Sequence, residues 1–132
     1  MTPAAPPVIL HHGTTLQRAR AIEANGPNPN YVEPGGQHVP PAEGFSTHVK
    51  DAPIPTEESP AEYARGKARN FPSEGGPGIL EVEVPQWIVD LVLIDPLQGG
   101  LGRCGEVRFD YGFGLDELLL AWPSLTKKVI PI

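Results

Sequence analysis

Four places in this sequence hold side chains able to do chemistry. His11 and His12 are adjacent and lead directly into Gly13 and Thr14. Phe45, Ser46 and Thr47 follow Gly44. Tyr63 stands in Ala61-Glu62-Tyr63-Ala64, and Glu106 follows the glycine-rich stretch 99–105. A fixed carboxylate can stabilise positive charge that develops beside it. Imidazole and hydroxyl groups can hold a polar ligand by hydrogen bonds. Taken singly, each has an ordinary reading as well. Strand alternation turns only one of His11 and His12 inward; His12 is chosen because it directly precedes Gly13. Ser46 and Thr47 read as strand residues, Tyr63 as a half-buried packing residue, and Glu106 as a solvated carboxylate. His38 and His48 lack paired ligand spacing and read as surface residues, so no metal is expected. Glu81 and Glu83 read as a solvent face. Asp116 and Glu117 read as helix-start charges, and Cys104 as a bystander.

The elements that must position these residues follow from pattern. Val8-Ile9-Leu10-His11-His12 is a short apolar run that predicts a buried strand. Gly13-Thr14-Thr15 turns the chain into a helix over 15–25, with Thr14 or Thr15 as N-cap, Leu16, Ala19 and Ile22 on one face, and Gly26 as its stop. The proline-rich segment 26–43 is a long loop, and 44–48 a short β-prone piece. Another loop covers 50–58. Ser59-Pro60-Ala61-Glu62 then opens a helix that runs to Asn70, with Ser59 as N-cap and Pro60 at the first position. Residues 75–78 form a turn. Residues 79–84 alternate as a strand with Leu80, Val82 and Val84 inward. The pattern of 85–97 fits both strand and helix. A strand over 106–109, a helix over 114–122 and a final strand over 126–132 complete the chain. The expected fold class is α+β, a largely antiparallel sheet with a few short helices and long Pro/Gly-rich loops. Residues 1–132 form one domain, with 1–7 as a flexible lead.

Bulk composition narrows the function. The 132 residues include 17 prolines and 15 glycines, about a quarter of the chain and twice average usage. Both interrupt helices, so a helical bundle or coiled coil is excluded. The formal charge is −6, which argues against a protein that grips phosphate backbones through a broad basic face. One cysteine cannot form an intrachain disulfide or a zinc cage. The first seven residues have no basic n-region and no long apolar run, so no signal peptide is read. The apolar stretch around 87–94 contains Asp90 and is too short to span a bilayer. A soluble cytoplasmic domain without a membrane partner is the expectation.

Taken in order, His12-Gly13-Thr14 at the end of the first strand, Gly44-Phe45-Ser46-Thr47, the Ala61-Glu62-Tyr63-Ala64 helix and Glu106 at the start of a late strand resemble the ADP-ribosyltransferase superfamily. The likeness is to the branch with a His, an aromatic or small residue, and a Glu on three strands, the type of the PARP and diphtheria-toxin-like catalytic domains. It covers the chain from Val8 to Ile132. It implies a split antiparallel sheet and NAD as co-substrate. By that likeness His12 would hydrogen-bond the ribose next to nicotinamide. Gly13 would offer its backbone N–H and C=O to the nicotinamide amide, and Thr14 would support the adenosine side. Phe45 and Ser46 would line the pocket and Tyr63 would stack on the nicotinamide ring. Glu106 would hold the ribose and stabilise the charge formed as the glycosidic bond breaks. The catalytic residues are then Glu106 and His12. The arginine-modifying branch has Arg on its first strand and Glu-x-Glu on the last. Here His12 and Glu106-Val107-Arg108 stand instead, which counts against arginine as acceptor.

The implied activity is ADP-ribosyl transfer to a protein or nucleic acid with release of nicotinamide, as in a bacterial toxin or effector that an inhibitory partner protein could restrain. The same pocket could serve an NAD glycohydrolase with water as acceptor, or a non-catalytic module that binds NAD or ADP-ribose. RNA 2′-phosphotransfer is the related alternative that the negative charge disfavours. A structural or phage-associated protein is the reading in which NAD does not bind at all.

Overall fold

Polar and apolar residues alternate along β1 (Val8–Thr15), and that alternation decides what each side of the sheet contains. The structure, a computed structural model, describes residues 6–27, 45–52, 59–92, 100–101, 105–109 and 114–132. After β1 come α1 (Leu16–Asn25), β2 (Phe45–Val49), α2 (Pro60–Asn70), β3 (Pro77–Val84) and α3 (Gln86–Leu91). Then follow β4 (Gly100–Leu101), β5 (Glu106–Phe109), α4 (Leu115–Ala121), a 3₁₀ turn (Trp122–Ser124) and β6 (Lys127–Pro131).

The class is α+β. The strands make one sheet in the order β4-β5-β2-β1-β3-β6, and every pairing is antiparallel. Residues paired across antiparallel strands share a face. Leu10, Val82 and Leu80 therefore lie on the same side as Val107, Phe109 and Phe45. All six are buried, packed with Ala19 of α1, Ile88 and Val89 of α3, and Leu115 and Leu118 of α4. The opposite side carries His11, Gly13, Ser46, His48, Glu81 and Glu106, and α2 packs there against β1 and β3.

Local chemistry accounts for the helix starts. Thr15 Oγ1 accepts from Arg18 N–H and caps α1, while Gly26 at φ 81° ends it, its N–H donating to Ile22 O. Ser59 Oγ accepts from Glu62 N–H, and Pro60 occupies the first turn of α2. Leu80, Val82 and Val84 point inward as expected.

Several expectations are corrected. Gly13, Thr14 and Thr15 do not turn the chain: they stay extended because β3 pairs with them, Gly13 opposite Ile79 and Thr15 opposite Pro77. Within 85–97, residues 86–91 resolve to helix, supported by the one-turn bond from Gln86 Nε2 to Asp90 Oδ1 and by burial of Ile88, Val89 and Val92. Helices and strands alternate along the chain. Within the one sheet, β1 and β2 pair at one end and part beyond His11. Gly44, His38, Cys104, most of the loops 26–43 and 50–58, and residues 1–5 lie outside the described residues.

Candidate functional site

The point where β1 and β2 part is the place in the fold where the predicted residues meet. Lys50 N–H donates to Ile9 O, and the register continues through Leu10↔Val49 to His11↔His48. Among the described residues it stops there. In an antiparallel strand successive peptide groups point to alternate edges. Ile9 faces β2, so Gly13, four residues on, also turns its N–H and C=O toward β2. The next rung would run from Gly13 to Ser46. Instead, the Ser46 carbonyl lies 2.6 Å from His12 Nδ1. The acceptor on Ser46 that faces this rung is bonded by a side chain.

That bond defines the state of His12. A carbonyl oxygen only accepts, so Nδ1 carries the proton. Burial holds the imidazole below its ordinary pKa. The bond to Ser46 opposes that shift, and the charges of Lys67 and His48 add to it. His12 is therefore neutral at pH 7, with Nε2 left as an acceptor. Its ring stands on Phe45 at a centroid distance of 4.7 Å. Phe45 in turn contacts Phe109 and Trp122, and Trp122 Nε1 donates to Glu23 O. Phe45 thus belongs to the core and buttresses His12 from below.

Alternation settles which histidine faces which way. His12 lies on the core side, and His11 on the side of α2, where its Nε2 is 2.9 Å from Glu81 Oε1. Glu81 is also approached by Lys128 at 3.4 Å and Lys50 at 3.6 Å. Its side chain is only 12% exposed, so it is not the solvent-facing carboxylate that the alternating pattern suggested. The hydrogen bond from His11 holds it below the usual carboxylate range, and Lys128 and Lys50 act in the same direction against its burial.

Gly13 has a second constraint. A Cβ placed there would stand 1.9 Å from the backbone oxygen of Pro60. No side chain fits, because the first turn of α2 lies directly against this strand. α2 therefore lies over the parting, and Tyr63 comes with it. The Tyr63 ring is half exposed and lies beside the His48 ring, with centroids 6.3 Å apart and planes inclined by 29°.

Glu106 opens β5 directly opposite His48, is half-buried, and shares the α2 side of the sheet with Gly13 and Ser46. Arg108 faces Ser46 across the same pairing. His12 and Glu106 are held by strands on either side of β2, so two strand spacings, about 10 Å of backbone, lie between them. Thr14 is buried on the core side opposite Gly78, two residues beyond His12. The structure thus gathers Gly13, Ser46, Tyr63 and Glu106 on one side of the parting. His12 and Phe45 sit on the other, joined to the first group by the Ser46 carbonyl.

His48 is the residue that sequence reasoning misplaced. It was expected on the surface, yet it is 7% exposed under α2. The signal was present: Ser46 and His48 are two apart, so a strand that presents one to a site presents the other. Among the described residues no group of three or more His, Cys, Asp or Glu could hold a metal ion, and no helix is long and apolar enough to cross a membrane. No protein-family model matches this chain, and neither do the curated proteins or the solved structures.

Proposed function

We propose that this chain has an ADP-ribosyltransferase-like fold, binds NAD where β1 and β2 part, and transfers ADP-ribose to a macromolecular acceptor with release of nicotinamide. The observation that carries this reading is the interrupted ladder at Gly13. A carboxamide needs one donor and one acceptor side by side, and the Gly13 peptide directs both toward the parting. The residues on either side suit the rest of the ligand. Tyr63 presents a half-exposed ring for stacking, and His12, from the other face, bonds the Ser46 carbonyl beside Gly13. Glu106 supplies the carboxylate.

NAD supplies the ADP-ribosyl group. The glycosidic C–N bond breaks, nicotinamide leaves with the electron pair, and positive charge develops on the ribose. A carboxylate fixed at the start of β5 stabilises that charge without reorganising. The acceptor forms the new bond to the ribose carbon and loses its proton. Arg108 shares the face of Glu106 two residues away, and its positive charge disfavours a guanidinium acceptor.

Incubation with adenylate-labelled NAD and cell extract tests the proposal. Release of nicotinamide with label on a protein or nucleic acid supports it. Release with free ADP-ribose alone would make water the acceptor. A folded protein that neither binds NAD nor releases nicotinamide would refute it.

A further inference from the structure

The proposed reaction has so far left His48 without a role. It is buried, it faces Glu106 on β5 and His11 on β1, and its ring is near-parallel to that of Tyr63. Half of the Tyr63 surface is exposed. A ring that is free to change rotamer loses that freedom when a ligand stacks on it, which weakens binding; a ring already supported loses less. A flat, buried neighbour is the kind of group that provides such support.

We propose that His48 is a positioning residue for the nicotinamide end of the site: its imidazole plane, buried between β2 and α2, sets the Tyr63 ring and fills the sheet surface directly opposite Glu106. This rests on the NAD reading above. The imidazole is used here as a plane, and it need not touch the ligand. Phenylalanine, which keeps a ring but not the imidazole nitrogens, should therefore hold Tyr63 better than alanine does.

The test uses the whole chain with His48→Ala and His48→Phe, and two readouts. The first needs no ligand: the Tyr63 ring-proton shifts by NMR, assigned by their disappearance in Tyr63→Phe. The second is NAD affinity by calorimetry, with kcat for nicotinamide release measured separately. His48→Ala should move the Tyr63 shifts and weaken NAD binding by about tenfold or more, with a smaller loss in kcat. His48→Phe should recover at least about threefold of the affinity that alanine loses, with Tyr63 again held. Phenylalanine restores volume as well as a ring, so it is the Tyr63 shifts, read beside the affinity, that separate positioning of that ring from a general packing defect. The proposal is overturned if His48→Ala leaves the Tyr63 shifts unchanged, or if phenylalanine is no better than alanine. Should His48→Ala fail to fold, His48→Gln, similar in size but without a ring, replaces it with the same expectations. If the parent protein binds no NAD, the NAD reading fails by itself. The Tyr63 shifts then still decide whether His48 holds that ring, and unchanged shifts overturn the positioning role.

Discussion

On the side of the sheet covered by α1, α3 and α4, the buried groups are mainly apolar, Phe109, Leu80 and Leu10 among them, with Thr14 and Thr47. On the side covered by α2 they include His48, with Glu81, His11 and Ser46 partly buried. The first side is held by removal of apolar surface from water, which tolerates any set of side chains of similar volume. The second is held by pairing, because a polar group taken out of water must find a partner. Glu81 answers that demand with His11, Lys128 and Lys50. The Ser46 carbonyl answers it with His12 rather than with Gly13. A ladder that gives up a rung leaves backbone groups of the strand facing the parting.

The contrast can be broken by mutation, beginning on the apolar side. Phe109 is fully buried, and Phe109→Ala should lose about 3–5 kcal/mol of stability, read by chemical denaturation. A loss under about 1 kcal/mol would mean that this face is not the main source of stability. On the other side, Gly13→Ala drives a methyl group into the Pro60 backbone and should lose about 1–3 kcal/mol. Gly66→Ala on α2 is the control: its nearest neighbour is an Arg69 side-chain nitrogen at 3.8 Å, and it should gain up to about 1 kcal/mol. Equal effects at the two glycines would contradict the close approach of α2 to β1.

The smallest effect is the pH dependence of the Glu81 cluster. Folding lowers the pKa of Glu81, chiefly through His11. Its contribution is therefore complete above the ordinary carboxylate pKa and disappears as pH falls through the lowered value. The melting temperature of the parent should exceed that of Glu81→Gln at pH 7 and approach it at pH 3. A difference that stays constant between those pH values would remove Glu81 from the account.

How much of this was legible in the sequence depended on how local the cause was. The Ser59-Pro60 helix start, the inward set Leu80, Val82 and Val84, and the Glu106 strand all follow from residues close together in the chain, and they appear as read. Gly13-Thr14-Thr15 looked like a turn because glycine and threonine favour turns; β3, more than sixty residues away, keeps them extended. His48 and Glu81 looked solvated because polar residues on alternating strands commonly are. Only the packing of α2 and the arrival of Lys128 on β6 bring them under cover, and neither can be seen from their neighbours in sequence. The parting of β1 from β2 comes with a bond from His12 to a carbonyl 34 residues further along.

The most direct test of the central claim is the rate of nicotinamide release from NAD by the parent protein and by Glu106→Gln, with NAD affinity measured on both. The account predicts release by the parent and a fall of about a hundredfold or more in kcat for Glu106→Gln, with affinity held within a few-fold, because the lost carboxylate acts on charge that exists only as the bond breaks. Equal release by the two proteins, or no NAD binding by the folded parent, would contradict it.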